Sequence, residues 1–192
     1  MGRHVTTDAD RGPLATLRPT DLASLARPLR ATTWSCRGDE LPSSTAIDLI
    51  SDKPNRWNAE GEPTIYLSGD PALALVESGR HPDDMEAHAR LVEVDLALAR
   101  MLDLRDDDVR RALDLPDDPG WILDRDRTRS VARAIRISGA ADGMLVPSAG
   151  ALDQPDRWNA VVFADDGAGV TASLASPRPA GEIRITRRPV AG

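Results

Sequence analysis

Residues 56–78 read RWNAEGEPTIYLSGDPALALVES, and the way this stretch changes character halfway along decides the fold. Thr64–Ser68 (TIYLS) is β-branched and aromatic, the composition of a short strand. Asp70 then offers a side-chain acceptor to the first turn of a helix, and Pro71 fits the first helical position, where its missing N–H is not needed. PALALVES (71–78) therefore predicts a short helix directly after the strand, stopping at Gly79. In that helix Leu73 and Val76 are expected to share an apolar face. Glu77, four residues after Leu73, falls on its edge. A glutamate there turns toward the core or a cleft.

Working outward, Leu91–Leu98 (LVEVDLAL) alternates as a half-buried strand does. Helices are predicted over Asp106–Leu113 and over Asp126–Ile137, the second ended by Gly139. Gly143–Val146 and Ala160–Ala164 read as further strands, and Glu182–Arg187 as a last, exposed edge strand. Toward the N-terminus a strand is expected through Thr32–Cys36 and a helical turn around Ala46–Ser51. Residues 1–27 are polar and proline-punctuated, a loosely structured arm with a weak helical candidate at Asp21–Leu25. Strands interspersed with helices give a single α/β (α+β) domain over 28–192, with a mixed central sheet, flanking helices and a C-terminal tail over 166–192.

Composition removes several function classes. A chain of 192 residues, 41% hydrophobic, supports one core and is short for two. A net charge of −7 argues against direct nucleic-acid binding, which needs clustered cations. Cys36 is the single cysteine, so no intramolecular disulfide or thiolate metal cluster can form, and it reads as a small, partly buried side chain. His81 and His88 read as solvated positions in a loop or helix, His4 sits in the loose N-terminal arm, and no metal cluster is visible. No apolar run approaches the roughly 20 residues that cross a bilayer. The opening residues lack a signal-peptide core, so no membrane association and a cytoplasmic location are expected.

Four polar residues stand in these apolar elements: Arg56, Tyr66, Glu77, and Ser148 in DGMLVPSAG (142–150). Each has an ordinary explanation. Arg56 could make a surface ion pair, Tyr66 could fill core with its hydroxyl satisfied, Glu77 could decorate a helix, and Ser148 could open a turn. The tetrapeptide RWNA recurs at Arg157–Ala160, but its flanks differ from those of Arg56–Ala59, so it reads as an echo and not a duplicated unit. Asn58 and Asn159 are expected to tie down loops, and Arg157 to lie on the surface.

The motifs in order are RWN followed by Gly61, IYLS, ALALVES, DGMLVPSA and WNAVVF, spread through Trp34–Asp165. In that order and spacing they resemble the RES domain, named for its arginine, glutamate and serine. The resemblance implies an ADP-ribosyltransferase-like fold. It also implies a toxin of a type II toxin–antitoxin pair, with an Xre-type helix-turn-helix antitoxin as partner. Such proteins consume NAD+ by phosphorolysis or hydrolysis, or transfer ADP-ribose to a protein; an inactive nucleotide- or antitoxin-binding domain is the non-enzymatic alternative.

NAD+ would then be a consumed substrate and inorganic phosphate a co-substrate, with no bound cofactor; no GxGxxG follows a strand. On this resemblance Arg56 anchors phosphate through its donor fork. Glu77 stabilises the oxocarbenium-like centre. Tyr66 walls the nicotinamide ring or meets the ribose, and Ser148 bonds the ribose or its phosphate. Relatives carry an arginine or tyrosine near the first strand, where this chain has Trp34 and Arg37; whether either contacts substrate stays open. So does a homodimer against a hetero-oligomer with the antitoxin.

Overall fold

The computed structural model describes residues 19–38, 46–78, 86–165, 174 and 177–186. The elements are α1 (Pro19–Leu25), β1 (Arg27–Gly38), a 3₁₀ turn (Ala46–Leu49), β2 (Ile50–Ser51), β3 (Thr64–Ser68) and α2 (Pro71–Ser78). They continue with β4 (Glu86–Asp103), α3 (Asp107–Ala112), a second 3₁₀ turn (Pro119–Leu123), α4 (Arg125–Ser138), β5 (Gly143–Pro147), β6 (Trp158–Phe163) and β7 (Arg178–Thr186).

The strands form one mixed sheet in the order β1-β3-β6-β5-β4-β7, with β2 beside β3. β1 also pairs with β4 along most of its length, while meeting β3 at Trp34 and Ser68, so the sheet closes on itself like a barrel. Among the described pairings only the β4–β5 contact is parallel. A parallel pair needs a long crossover, and the segment carrying α3 and α4 supplies it. β7 lies antiparallel to β4 and ends the order.

Alternation along the strands divides the core into two layers. Ile65, Leu67, Leu145, Ala160 and Val162 face inward with Val92, Val94, Leu96 and Leu98. Met144, Val146, Val161 and Phe163 face the other way, with Tyr66 packed against them. Leu22 of α1, Val109 of α3, Val131 and Ile135 of α4, and Trp57, Trp121 and Ile122 cover this second face.

Arg136 of α4 clamps the second layer to the sheet. Its guanidinium lies 4.6 Å from the Phe163 ring centroid and donates to Thr64 Oγ1 at 2.8 Å and to Asp165 at 2.6 Å. Gly139 closes α4 at φ 63°, as expected, and at the other end Asp124 caps the helix, accepting from the first-turn N–H groups of Asp126 and Arg127.

Three expectations need correction. The last part of the supposed arm, α1, is docked, because Leu22 is fully buried. Burial of one leucine contributes about 2 kcal/mol, without which a seven-residue helix would not persist. β1 and β4 both run well beyond Thr32–Cys36 and Leu91–Leu98. Residues of weak strand propensity, including His88, extend β4 because partners on both its edges supply the ladder. His88 thus lies on a strand; residues 1–18 and His81 fall outside the described residues. Third, Val76 is 43% exposed while Leu73 and Ala74 are buried, so the buried face of α2 runs through Leu73, Ala74 and Glu77.

Candidate active site

β3 carries the chain to the site and Gly69 turns it into α2. A Cβ at Gly69 would stand 2.6 Å from Cε2 of the Trp158 indole, while the Gly69 N–H donates to the Trp158 carbonyl at 2.9 Å. Only glycine lets the strand end pass this close. Asp70 then caps α2, accepting from the Leu73 N–H at 2.8 Å, and its other carboxylate oxygen lies 3.7 Å from Arg157 Nε. Arg157, expected on the surface, is half-buried beside this carboxylate.

This arrangement sends Glu77, half-buried one turn beyond Leu73, toward the ends of β5 and β6. The hydroxyl of Ser148, one residue past β5, donates to Glu77 Oε1 at 2.5 Å. Nδ2 of Asn159 on β6 donates to the same oxygen at 3.1 Å. Behind it, Ser68 Oγ on β3 donates to Asn159 Oδ1 at 2.8 Å. Register explains the convergence: Ser68 faces Asn159, and Asn159 faces Val146, two residues before Ser148. Ser148 is fully buried, and its oxygen also accepts from the Gly150 N–H at 3.0 Å. Trp34 of β1, half-buried, is paired with Ser68 and so lies on the same side of the sheet. Arg37 is three residues further along that strand.

A second group surrounds Arg56. Trp57 is buried and meets Trp121 edge-on, with ring centroids 5.8 Å apart, which pins the loop between β2 and β3 into the core. Buried Asn58 holds that loop's shape by donating to the Lys53, Ala59 and Glu62 carbonyls. It ties down a loop, as expected. Arg56 flanks this anchor. Its Nη1 donates to the Ile122 carbonyl at 2.6 Å, and its own carbonyl accepts from Thr128 Oγ1 at 2.7 Å. Arg129 Nε reaches the Asn55 carbonyl at 2.8 Å.

Tyr66 joins the two groups. It lies two residues before Ser68 on the same face of β3, about 7 Å along the strand. Its hydroxyl donates to Asn58 Oδ1 at 2.6 Å and accepts from the Trp57 N–H at 3.2 Å. Burial pushes the phenol well above its ordinary range, against the opposing effect of the Trp57 hydrogen bond and the guanidinium charges of Arg136, Arg129 and Arg56. Tyr66 is therefore a neutral phenol at physiological pH.

The ordinary reading of Tyr66, a core aromatic with its hydroxyl satisfied, describes this geometry. Tyr66→Phe is expected to lower stability by about 1–3 kcal/mol, since a part-buried N–H and amide oxygen would be orphaned. Urea unfolding checks it; an unchanged midpoint would mean that the hydroxyl has no part in holding the loop.

Of the four sequence candidates, then, Glu77 and Ser148 touch, while Tyr66 and Arg56 meet through Trp57. Asn159 was expected to tie a loop, but it lies in β6, one residue from its start, and contacts the glutamate. The second RWNA thus also contributes to the site, through its asparagine. Among the described residues no His, Cys, Asp and Glu cluster could hold a metal, and no helix is long and apolar enough to cross a membrane.

Comparison with known proteins identifies the fold and the family. Among solved structures, the chain is similar to the M. tuberculosis MbcT–MbcA toxin–antitoxin complex, with a TM-score of 0.67 and 20% sequence identity. The likeness covers 90% of this chain and 94% of that chain, and at this identity it speaks of fold. No curated protein sequence matches the chain. The RES domain model matches residues 32–184, well over half of the sequence and spanning Arg56, Glu77 and Ser148. The chain belongs to the RES domain family.

Proposed function

We propose that this protein is the toxin of a toxin–antitoxin pair and that it breaks the nicotinamide–ribose bond of NAD+. The observation that carries this reading is the Glu77 carboxylate, half-buried and fixed by the Ser148 hydroxyl at 2.5 Å. A carboxylate held rigidly in a partly desolvated place stabilises positive charge with little reorganisation, which is what an oxocarbenium-like transition state requires.

In the reaction, the bond between ribose C1′ and the nicotinamide nitrogen breaks and its electron pair neutralises the pyridinium. Nicotinamide leaves uncharged, so one carboxylate suffices and no acid partner is needed. Glu77 faces the cation that develops at C1′. An oxygen of phosphate or water then bonds to C1′, giving ADP-ribose 1″-phosphate or ADP-ribose, and water's displaced proton passes to solvent. Arg56, oriented by the Ile122 carbonyl and the Trp57 anchor, binds the pyrophosphate. Ser148 acts on Glu77, and Tyr66 keeps the Arg56 loop in shape. A protein side chain in place of phosphate or water would make the same chemistry a mono-ADP-ribosylation.

Family membership and the likeness to a toxin–antitoxin complex support an antitoxin as partner; we take it to be of the Xre helix-turn-helix type. Induced expression in a bacterial host tests the reading. The expected result is growth arrest with falling cellular NAD+, relieved by Arg56→Ala and by co-expression of an Xre-type antitoxin encoded beside the toxin. Arrest that persists in Arg56→Ala with NAD+ unchanged would contradict it.

A further inference from the structure

The Ser148 and Asn159 hydrogen bonds both fall on one oxygen of Glu77, Oε1. The Glu77 carboxylate only accepts, so Asn159 turns Nδ2 toward it, and the Ser68 hydroxyl donates to the Oδ1 left on the other side. Ser68 is itself buried in the sheet, with its backbone in register with Asn159 and Trp34. The chain Ser68–Asn159–Glu77 therefore runs from a rigid interior strand to the carboxylate, and Gly150 N–H fixes Ser148 from the other side.

We infer that Ser68 and Asn159 form a positioning relay that fixes the rotation of the Glu77 carboxylate, saturating Oε1 so that Oε2 is the oxygen turned to the substrate. Asn159 and Ser68 are positioning residues, acting through Glu77 and not on NAD+. The inference rests on the proposed cleavage of NAD+ by Glu77. A carboxylate with one oxygen held by two donors keeps its plane fixed, and misplacement of a reacting group by about 1 Å can lower a rate about a hundredfold. Two donors on Oε1 also draw charge toward that oxygen; rotation freed by their loss would replace one defined approach to C1′ by several.

The test follows nicotinamide release from NAD+ by the full chain and by Asn159→Ala, Ser68→Ala and the double variant. Asn159→Ala is expected to lower kcat about ten- to a hundredfold with KM changed less than about threefold. Ser68→Ala, which only frees the amide to turn, should lower kcat by less, and adding it to Asn159→Ala should lower kcat no further, because the two act in series. Additive losses, or a loss carried by KM, overturn the relay. The Asn159 side-chain amide resonances provide a readout independent of turnover. Both Ser68→Ala and Glu77→Ala should shift them by NMR, and resonances indifferent to either change contradict the geometry. If the unaltered protein releases no nicotinamide, the proposed function fails and the relay's role with it; if it is active and Asn159→Ala matches it, the relay alone fails.

Discussion

Glu77→Gln is expected to lower nicotinamide release from NAD+ by about a thousandfold in kcat, about 4 kcal/mol of transition-state stabilisation. Glutamine keeps the volume of the side chain and one acceptor oxygen, so the Ser148 and Asn159 hydrogen bonds can persist. What disappears is the negative charge. The loss should therefore fall on kcat, with KM and the urea midpoint close to those of the unaltered protein. Steady-state kinetics by chromatographic detection of nicotinamide measure it. A variant retaining a tenth of the activity would mean that the charge facing C1′ comes from elsewhere.

Gly143→Ala should give the largest stability effect of a one-carbon change, about 2–3 kcal/mol. The site is the first residue of β5, where a Cβ would stand 2.5 Å from the Val161 carbonyl oxygen and 3.1 Å from Met101 Sδ. The methionine can move, but the carbonyl belongs to the adjacent strand. β5 must shift away from β6, and Ser148 is carried on the end of β5. Activity should therefore fall together with thermal stability, the melting temperature dropping by roughly 5–10 °C for a chain of this size. An unchanged melting temperature would show that the strands can separate there without loss.

These two changes mark what the sequence could and could not disclose. β3 and α2 were legible to the residue because their signals are local: TIYLS has strand composition, and Asp70-Pro71 is a helix start written in two residues. Glu77's inward orientation followed from helical spacing, although Val76 was assigned to the wrong face; Ala74, not Val76, completes it. Gly139 announced the end of α4 for the same local reason. β1 and β4 were underestimated because their ends are strand only through pairing with each other and with β7, which no local pattern reveals.

The same limit hid Asn159. In sequence it is the third residue of an echoed tetrapeptide, and nothing nearby gives it chemistry. It becomes part of the site only because the register sets it opposite Ser68 and Val146, beside a helix 82 residues earlier. The RWN motif shows the reverse case. Its three side chains do three jobs legible once the loop is folded: Trp57 enters the core, Asn58 gathers three carbonyls, and Arg56 stands beside them. Tyr66, read on resemblance as a substrate contact, has its hydroxyl engaged by this loop.

The central claim is that Glu77 serves cleavage of the nicotinamide–ribose bond. The direct measurement is incubation of the purified protein with NAD+, with and without inorganic phosphate, following nicotinamide and the ADP-ribosyl product by mass. The predicted result is stoichiometric nicotinamide with ADP-ribose 1″-phosphate or ADP-ribose, formed about a thousandfold more slowly by Glu77→Gln. Intact NAD+ under both conditions and with a protein acceptor, or equal release by Glu77→Gln, would contradict it.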